Sequence, residues 1–284
     1  MALEPNSVQR DRMLSHGKTK LTLVQFLVGK DSDGFDKYFP ATQSAVHQEG
    51  GKREFQLKID QVLAGGDHPY QYLTIDSFPS SQALLMAHER TREIRASSLR
   101  DIYGLYLKPT TAKIKLVKGA GFLKPSLGKL LGTRQVGDIQ YLADELEPAT
   151  DPDLDVVQVF SDREPGQGFF MMNLNQFARQ DDKRYLTGKA AYKRYSTWIT
   201  PYLISVGGYP VIFDKPLGTY IGDQNSSLSS SWSEFGLVYY PSRESFIRLM
   251  TNTPRRAAVY RRAGLEKAVL MACVHARRAD PQRS

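Results

Sequence analysis

One layout occurs twice in this chain, and the repetition constrains the fold more than any single motif does. Residues 192–213 read as an aromatic helix, a Gly-Gly stop and a strand, and residues 35–55 repeat that layout with fewer aromatics. Superposed without a gap, Tyr38 falls on Tyr195 and Gly50-Gly51 falls on Gly207-Gly208, an offset of 157 residues. Phe78-Pro79-Ser80 matches Tyr240-Pro241-Ser242 at an offset of 162, so one loop-sized insertion separates the two landmarks. Each Pro-Ser closes a strand and opens a helix, where serine is a natural cap.

Periodicity fills in the rest. Leu21–Val28 is a short apolar run suited to a buried strand, Phe35–Gln48 a helix ended by Gly50, and Phe55–Leu63 an alternating strand. Tyr70–Phe78, a helix over Ser81–Ser98 and Ile102–Leu107 complete a βαββαβ order, the split ferredoxin-like unit. The second copy runs through Phe169–Phe177, Lys189–Val206, Tyr209–Phe213, Trp232–Tyr240, a helical stretch broken before Pro254, and Leu265–Val274, with a little strand near Thr219–Ile221. The expected organisation is a flexible arm at 1–18, a first unit at 19–110, a connecting segment at 111–165, a second unit at 166–276 and a tail at 277–284. The connecting segment is too long for a bare linker, so Val136–Leu146 and Leu154–Phe160 are expected to add short elements.

Composition narrows the class. With 41% hydrophobic residues the chain can build a core, and its longest apolar runs, such as Ala268–Val274, fall far short of the roughly 20 residues that cross a bilayer. No secretory signal is visible, and a lone cysteine, Cys273, excludes an internal disulfide and fits a reducing compartment, so a cytoplasmic protein is expected. The net charge of +8 is unevenly spread: residues 108–134 hold six Lys and one Arg without an acid, and residues 138–164 hold nine acids against Arg163. These blocks oppose each other, which weakens a reading of the basic pI as a nucleic-acid footprint.

The second unit resembles a small, largely uncharacterised family of the dimeric α+β-barrel superfamily. The resemblance rests on Met172-Asn173-Leu174 with Phe177, Ala191-Tyr192 with Tyr195, Gly207-Gly208, Tyr240-Pro241-Ser242 and Arg262-Ala263-Gly264-Leu265. It covers residues 169–275 and, less closely, 21–108; Gln176 stands where that family often has Lys, and Arg261 where it often has His. It implies an α+β fold in which two tandem ferredoxin-like units pack their antiparallel sheets face to face as a pseudo-dimeric barrel, with a ligand-sized space between the sheets. With both halves in one chain, the pseudo-dimer is internal, and the whole is a monomer or a homodimer.

Strand alternation nominates the residues facing that space. The uniformly apolar faces, Thr22-Val24-Phe26-Val28 and Phe170-Met172-Leu174, are expected to meet the helices. Gln25, Asn173 and Asn175 then point into the barrel, together with Tyr70, Tyr72 and Asp76 from one third strand and Trp232 and Glu234 from the other. Asp76 and Glu234 are the candidate catalytic bases, since a carboxylate facing a closed space needs a partner or a shifted pKa. Gln25, Tyr72, Asn173, Asn175 and Trp232 are the candidate substrate contacts. Tyr195, Trp198 and Tyr202 share a helix face and are expected in the core or a subunit contact.

The expected function is a cofactor-independent enzyme of oxygenase, isomerase or cyclase type acting on a small aromatic or carbonyl-bearing metabolite; a non-catalytic carrier or sensor would use the same pocket. No metal spacing or phosphate loop is visible among His16, His47, His68, His88, His275 and the glycines. Haem stays open because some double-unit relatives bind it, with His47, His68 or His88 as possible ligands. RNA binding, suggested by the βαββαβ order and by Glu234–Tyr240, is disfavoured because Ser233-Glu234 replaces the Lys/Arg-Gly pair of RNA-recognition motifs.

Overall fold

The computed structural model of the 284-residue chain describes residues 3–31, 33–109, 130, 131, 135, 149–163, 166–179, 187–222 and 225–276. The first half contains α1 (Ser7–Leu14), β1 (Leu21–Gly29), α2 (Asp33–Gln48), β2 (Lys52–Ala64), β3 (Tyr72–Phe78), α3 (Ser81–Arg90), α4 (Arg92–Ser98) and β4 (Leu99–Leu107). The second contains α5 (Leu154–Ser161), β5 (Phe169–Phe177), α6 (Gly188–Ser205), β6 (Tyr209–Asp214), β7 (Pro216–Ile221), β8 (Glu234–Tyr240), α7 (Arg243–Asn252), α8 (Arg255–Gly264) and β9 (Leu265–His275). The glycines after α2 and α6 adopt left-handed backbone, φ 72° at Gly50 and 84° at Gly207, and stop each helix where the sequence placed a Gly-Gly.

All nine strands join in one antiparallel sheet, in the order β6-β8-β5-β9-β2-β3-β1-β4-β7. Each half shows the ferredoxin-like order, and the halves are stitched where β2 pairs with β9. The outermost strands, β6 and β7, are separated in sequence by Lys215 alone. Two Cα steps of 3.8 Å cannot span an open nine-stranded sheet, so the sheet rolls until its ends meet. The architecture is an α+β barrel made within one chain.

The barrel interior is apolar. Val24, Phe26, Val28, Leu73 and Ile75 from one half meet Phe170, Met172, Leu174, Phe235 and Leu237 from the other, with Trp232 and Cys273 in the same cluster. This reverses the expected sides: the uniformly apolar faces meet each other, and the mixed faces meet the helices. The physical reason is supply of partners. Polar side chains find partners more readily from helices and strand edges on the outer face than between two largely apolar sheet faces. The expected ligand space between the sheets is therefore a packed core.

The start of the expected organisation also changes. Residues 1–18, expected as a flexible arm, contain α1, capped by Asn6 and Gln9 in a reciprocal box, with Met13 fully buried. The Gln9 amide donates to the Gly222 carbonyl at 2.8 Å, which fastens α1 to the end of β7. Within the connecting segment, α5 packs Val157 and Phe160 against Phe169 and Phe246. Val136–Leu146 and the tail 277–284 lie outside the described residues.

Ser80 and Ser242 are helix caps, accepting from the Ala83 and Ser245 amides at 3.1 Å each. Ser242→Ala is expected to lower stability by about 1 kcal/mol in urea unfolding, because the Ser245 amide loses its capping acceptor.

Candidate functional site

The outer face of each half-sheet and the helices over it enclose a gap, and the two gaps differ. In the first half Arg53 and Asp76 are cross-strand partners on β2 and β3, forming an ion pair whose side chains are 6% and 2% exposed. Arg53 also reaches Asp76 Oδ2 at 3.2 Å and donates to Thr42 Oγ1 at 3.1 Å. Burial raises the Asp76 pKa, and the Arg53 guanidinium opposes that rise. Gln25, Tyr38, His88 and Arg95 crowd the remaining space, which amounts to about 20 Å³. That holds a water molecule and no organic ligand.

In the second half the corresponding cross-strand pair is Pro210 and Val238. Losing the guanidinium and its carboxylate leaves a cavity of about 500 Å³, and both Pro210 and Val238 border it. Most of its wall is apolar, including Met171, Ile199, Leu203, Phe213, Phe246 and Leu270. Helix α6 supplies one side through Tyr192, Tyr195, Ser196, Ile199, Thr200 and Leu203, a stripe at helical spacing. Gly264 sets the approach of α8 to that helix: a Cβ there would lie 2.7 Å from the Tyr192 backbone nitrogen.

Glu234 opens β8 and borders the cavity. Its strand partner across β5 is Asn175, whose amide donates to the Tyr192 hydroxyl at 2.8 Å and to Glu234 Oε1 at 3.3 Å. Burial pushes the Glu234 pKa up to about 7, opposed by the Asn175 amide and the charge of Lys189. Desolvation drives the Tyr192 and Tyr195 phenols upward as well, so both are neutral donors at ordinary pH. Among the described lining residues the one cation is Arg261, held by the Asp151 carboxylate and by the Thr150 carbonyl at 2.5 Å.

The residues nominated from sequence thus separate. Asn173, Asn175 and Glu234 come together at the second-half cavity, with the Asn173 amide donating to the Met171 carbonyl at 2.9 Å. Gln25 and Asp76 line the small first-half gap, and Tyr72 meets Phe35 at a tilt and Phe39 edge-on. Trp232 is in the sheet-to-sheet core, its indole donating to the Leu228 carbonyl at 2.8 Å. Asp76 is consequently one member of a buried ion pair, not a lone carboxylate facing a ligand space. Trp198, expected in the core or a subunit contact, is 42% exposed and so is not in the core. Tyr192, Tyr195 and Thr200 were the missed wall residues, and the α6 stripe that carries them was readable once counted from Tyr192.

Haem needs a His, Cys, Met or Tyr ligand. The described lining of the cavity holds no His or Cys; it offers Met171 and Met250, and its tyrosines are held as phenols by burial. His88 is spent on Glu4, its Nε2 lying 3.0 Å from the carboxylate, and His47 is exposed on α2. His68 keeps a buried Nε2 with no partner among the described residues, but it lies outside the described lining, its Nδ1 2.9 Å from the Ser227 hydroxyl, so the cavity itself offers a haem no axial His or Cys. Among the described residues there is also no cluster of His, Cys, Asp or Glu that could hold a metal ion, and no helix long and apolar enough to cross a membrane.

No family model matches the chain, and no curated protein matches it. Among solved structures, a protein of unknown function from Rhodopseudomonas palustris is 26% identical over 43% of this chain and 92% of its own, with a TM-score of 0.38. A candidate monooxygenase from Lactobacillus acidophilus is 10% identical over 90% of this chain and 93% of its own, with a TM-score of 0.42. A chlorite dismutase from Candidatus Nitrospira defluvii, solved with imidazole, is 10% identical over 93% of this chain and 94% of its own, with a TM-score of 0.44.

Proposed function

We propose that the chain binds a small, uncharged, ring-bearing organic molecule in the second-half cavity and that Glu234 moves a proton on it. The observation that carries this is the Glu234 carboxyl in the wall of a cavity of about 500 Å³, desolvated until its pKa is about 7. A base whose pKa lies near the working pH combines a usable ionised fraction with driving force for proton transfer. The volume falls in the range of sites for small ligands, and a mostly apolar wall with a few convergent polar groups suits a ring bearing one or two oxygens. A phosphate or carboxylate would need a free cation, and Arg261 is already engaged by Asp151.

In the minimal step the Glu234 carboxylate takes a proton from a carbon or oxygen acid of the ligand. The electron pair stays behind as an enolate or phenolate, and Glu234 returns the proton to another atom, giving isomerisation or ring closure without a cofactor. An oxygenase of this type passes that electron pair to dioxygen, the co-substrate. Asn175 orients the carboxyl group, and the Tyr192 and Tyr195 phenols supply neutral donors in the same wall.

Exchange of the ligand's acidic hydrogen in deuterated water, followed by NMR, is expected to rise with pH through about 7 and level off above it, since only the ionised carboxylate accepts the proton. A rate independent of pH across that range removes Glu234 from the step. Binding with no exchange at any pH marks a carrier.

A further inference from the structure

We infer that the strap Ala149–Asp153, clamped by Arg261, is the movable wall through which ligand reaches the second-half cavity; this rests on the cavity being the binding site. The strap is tied at its ends, the Ala149 carbonyl accepting from the Ala268 amide at 3.1 Å and the Asp153 amide donating to the Leu63 carbonyl at 3.1 Å. Between those ties Asp151 and Pro152 border the cavity directly. Arg261 grips the middle, one guanidinium nitrogen on the Asp151 carboxylate and the other on the Thr150 carbonyl.

The first half contains the same device. Arg95 stands four residues before β4 as Arg261 stands four before β9. It grips the Leu3 carbonyl at 2.9 Å and the Glu4 carboxylate at 2.5 Å, the same pairing of a carbonyl with the next residue's carboxylate. Glu4 precedes β1 by 17 residues and Asp151 precedes β5 by 18, each followed by a short helix. An arginine therefore fastens the leading segment of each half over the gap between sheet and helices.

The two clamps differ in how firmly they hold. Arg95 is 1% exposed and also donates to the His88 carbonyl at 2.9 Å and to Thr91 Oγ1 at 3.0 Å, closing a gap with no room for a ligand. Arg261 also meets the Tyr195 hydroxyl, but Arg261 and Asp151 are 13% and 12% exposed, and the Thr150 hydroxyl beside Asp151 in sequence is buried with no partner among the described residues. An orphaned buried hydroxyl costs stability in the closed state, and that cost is recovered when the strap lifts. The clamp is thus firm over a filled gap and releasable over an open one.

The test is uptake of N-phenyl-1-naphthylamine, a neutral aromatic probe that brightens in apolar surroundings, followed by stopped flow on the full chain. Asp151→Asn, which keeps the shape and loses the charge, is expected to speed both uptake and release by about tenfold with little change in affinity. Arg261→Lys, too short to reach both partners, is expected to act in the same direction should Asp151→Asn fold poorly. The charge-exchanged pair Asp151→Arg with Arg261→Asp is expected to slow uptake again, and Glu4→Gln in the first-half clamp to leave uptake unchanged. Filling the cavity by Pro210→Arg with Val238→Asp, or by Thr200→Phe, is expected to abolish uptake. Uptake that the filling variants abolish but Asp151→Asn and Arg261→Lys leave at the wild-type rate overturns the strap and keeps the cavity. Absence of uptake by every variant, or uptake indifferent to filling, overturns both.

Discussion

Glu234→Gln is expected to abolish proton transfer, leave the ligand bound, and make the protein more stable in alkaline solution. A positioned general base contributes about 10²–10⁴-fold, so turnover is expected to fall by that factor. Gln retains the size of Glu and can still accept from the Asn175 amide, so ligand affinity is expected to change by less than about threefold. The stability effect follows from the raised pKa. In the folded protein Glu234 titrates at about 7, above the ordinary carboxylate value of 4.5, so the folded state holds its proton more tightly than the unfolded chain. The wild type is therefore favoured fully below pH 4.5 and loses stability as pH rises through about 7. Above that range the loss approaches about 3 kcal/mol, and the uncharged Gln does not suffer it. Urea unfolding of both proteins at about pH 5 and about pH 8 reads this directly. If the two curves stay parallel between those pH values, the Glu234 carboxyl is not desolvated as the cavity requires.

The other large effect lies in the first half and is purely structural. Arg53→Ala is expected to destabilise the fold by about 3–5 kcal/mol, because it leaves the Asp76 carboxylate buried without its partner. Asp76→Asn is expected to cost a similar amount by leaving the buried guanidinium without a counter-charge, since an amide oxygen, Thr42 and a 3.4 Å contact to Gln56 do not neutralise it. Neither change is expected to alter ligand affinity or proton exchange in folded protein. Loss of exchange in folded Asp76→Asn, with stability unchanged, would assign the chemistry to the first half instead.

The contrast between Asp76 and Glu234 shows where sequence reasoning stops. Alternation along Tyr72–Phe78 and Glu234–Tyr240 separates two faces correctly, but it does not say which face looks into a barrel and which looks at helices. That depends on what each side can offer a polar group. Arg53 sits 23 positions from Asp76, and nothing in the local pattern joins them. The same limit hid the Arg261–Asp151 clamp, whose partners are 110 residues apart. Other features were legible. The Gly-Gly stops, the Pro-Ser caps and the βαββαβ order fixed the frame of both halves. Two signals were present and unread: the Asn6 and Gln9 box that starts α1, and the α6 stripe from Tyr192 to Leu203, which places Trp198 outside. The replacement of Arg53 and Asp76 by Pro210 and Val238 was also present in the sequence. It needed the strand registers to show that these pairs correspond and that the second leaves a cavity.

The most direct measurement is a crystal structure of the full chain with a neutral ring compound bound, chosen from those that raise its melting temperature. The expected result is density between the outer face of β5 and β8 and helix α6, with a ligand oxygen or acidic carbon against the Glu234 carboxyl. Density between the two sheets among Phe26, Met172 and Trp232, or in the first-half gap beside Asp76, would contradict it.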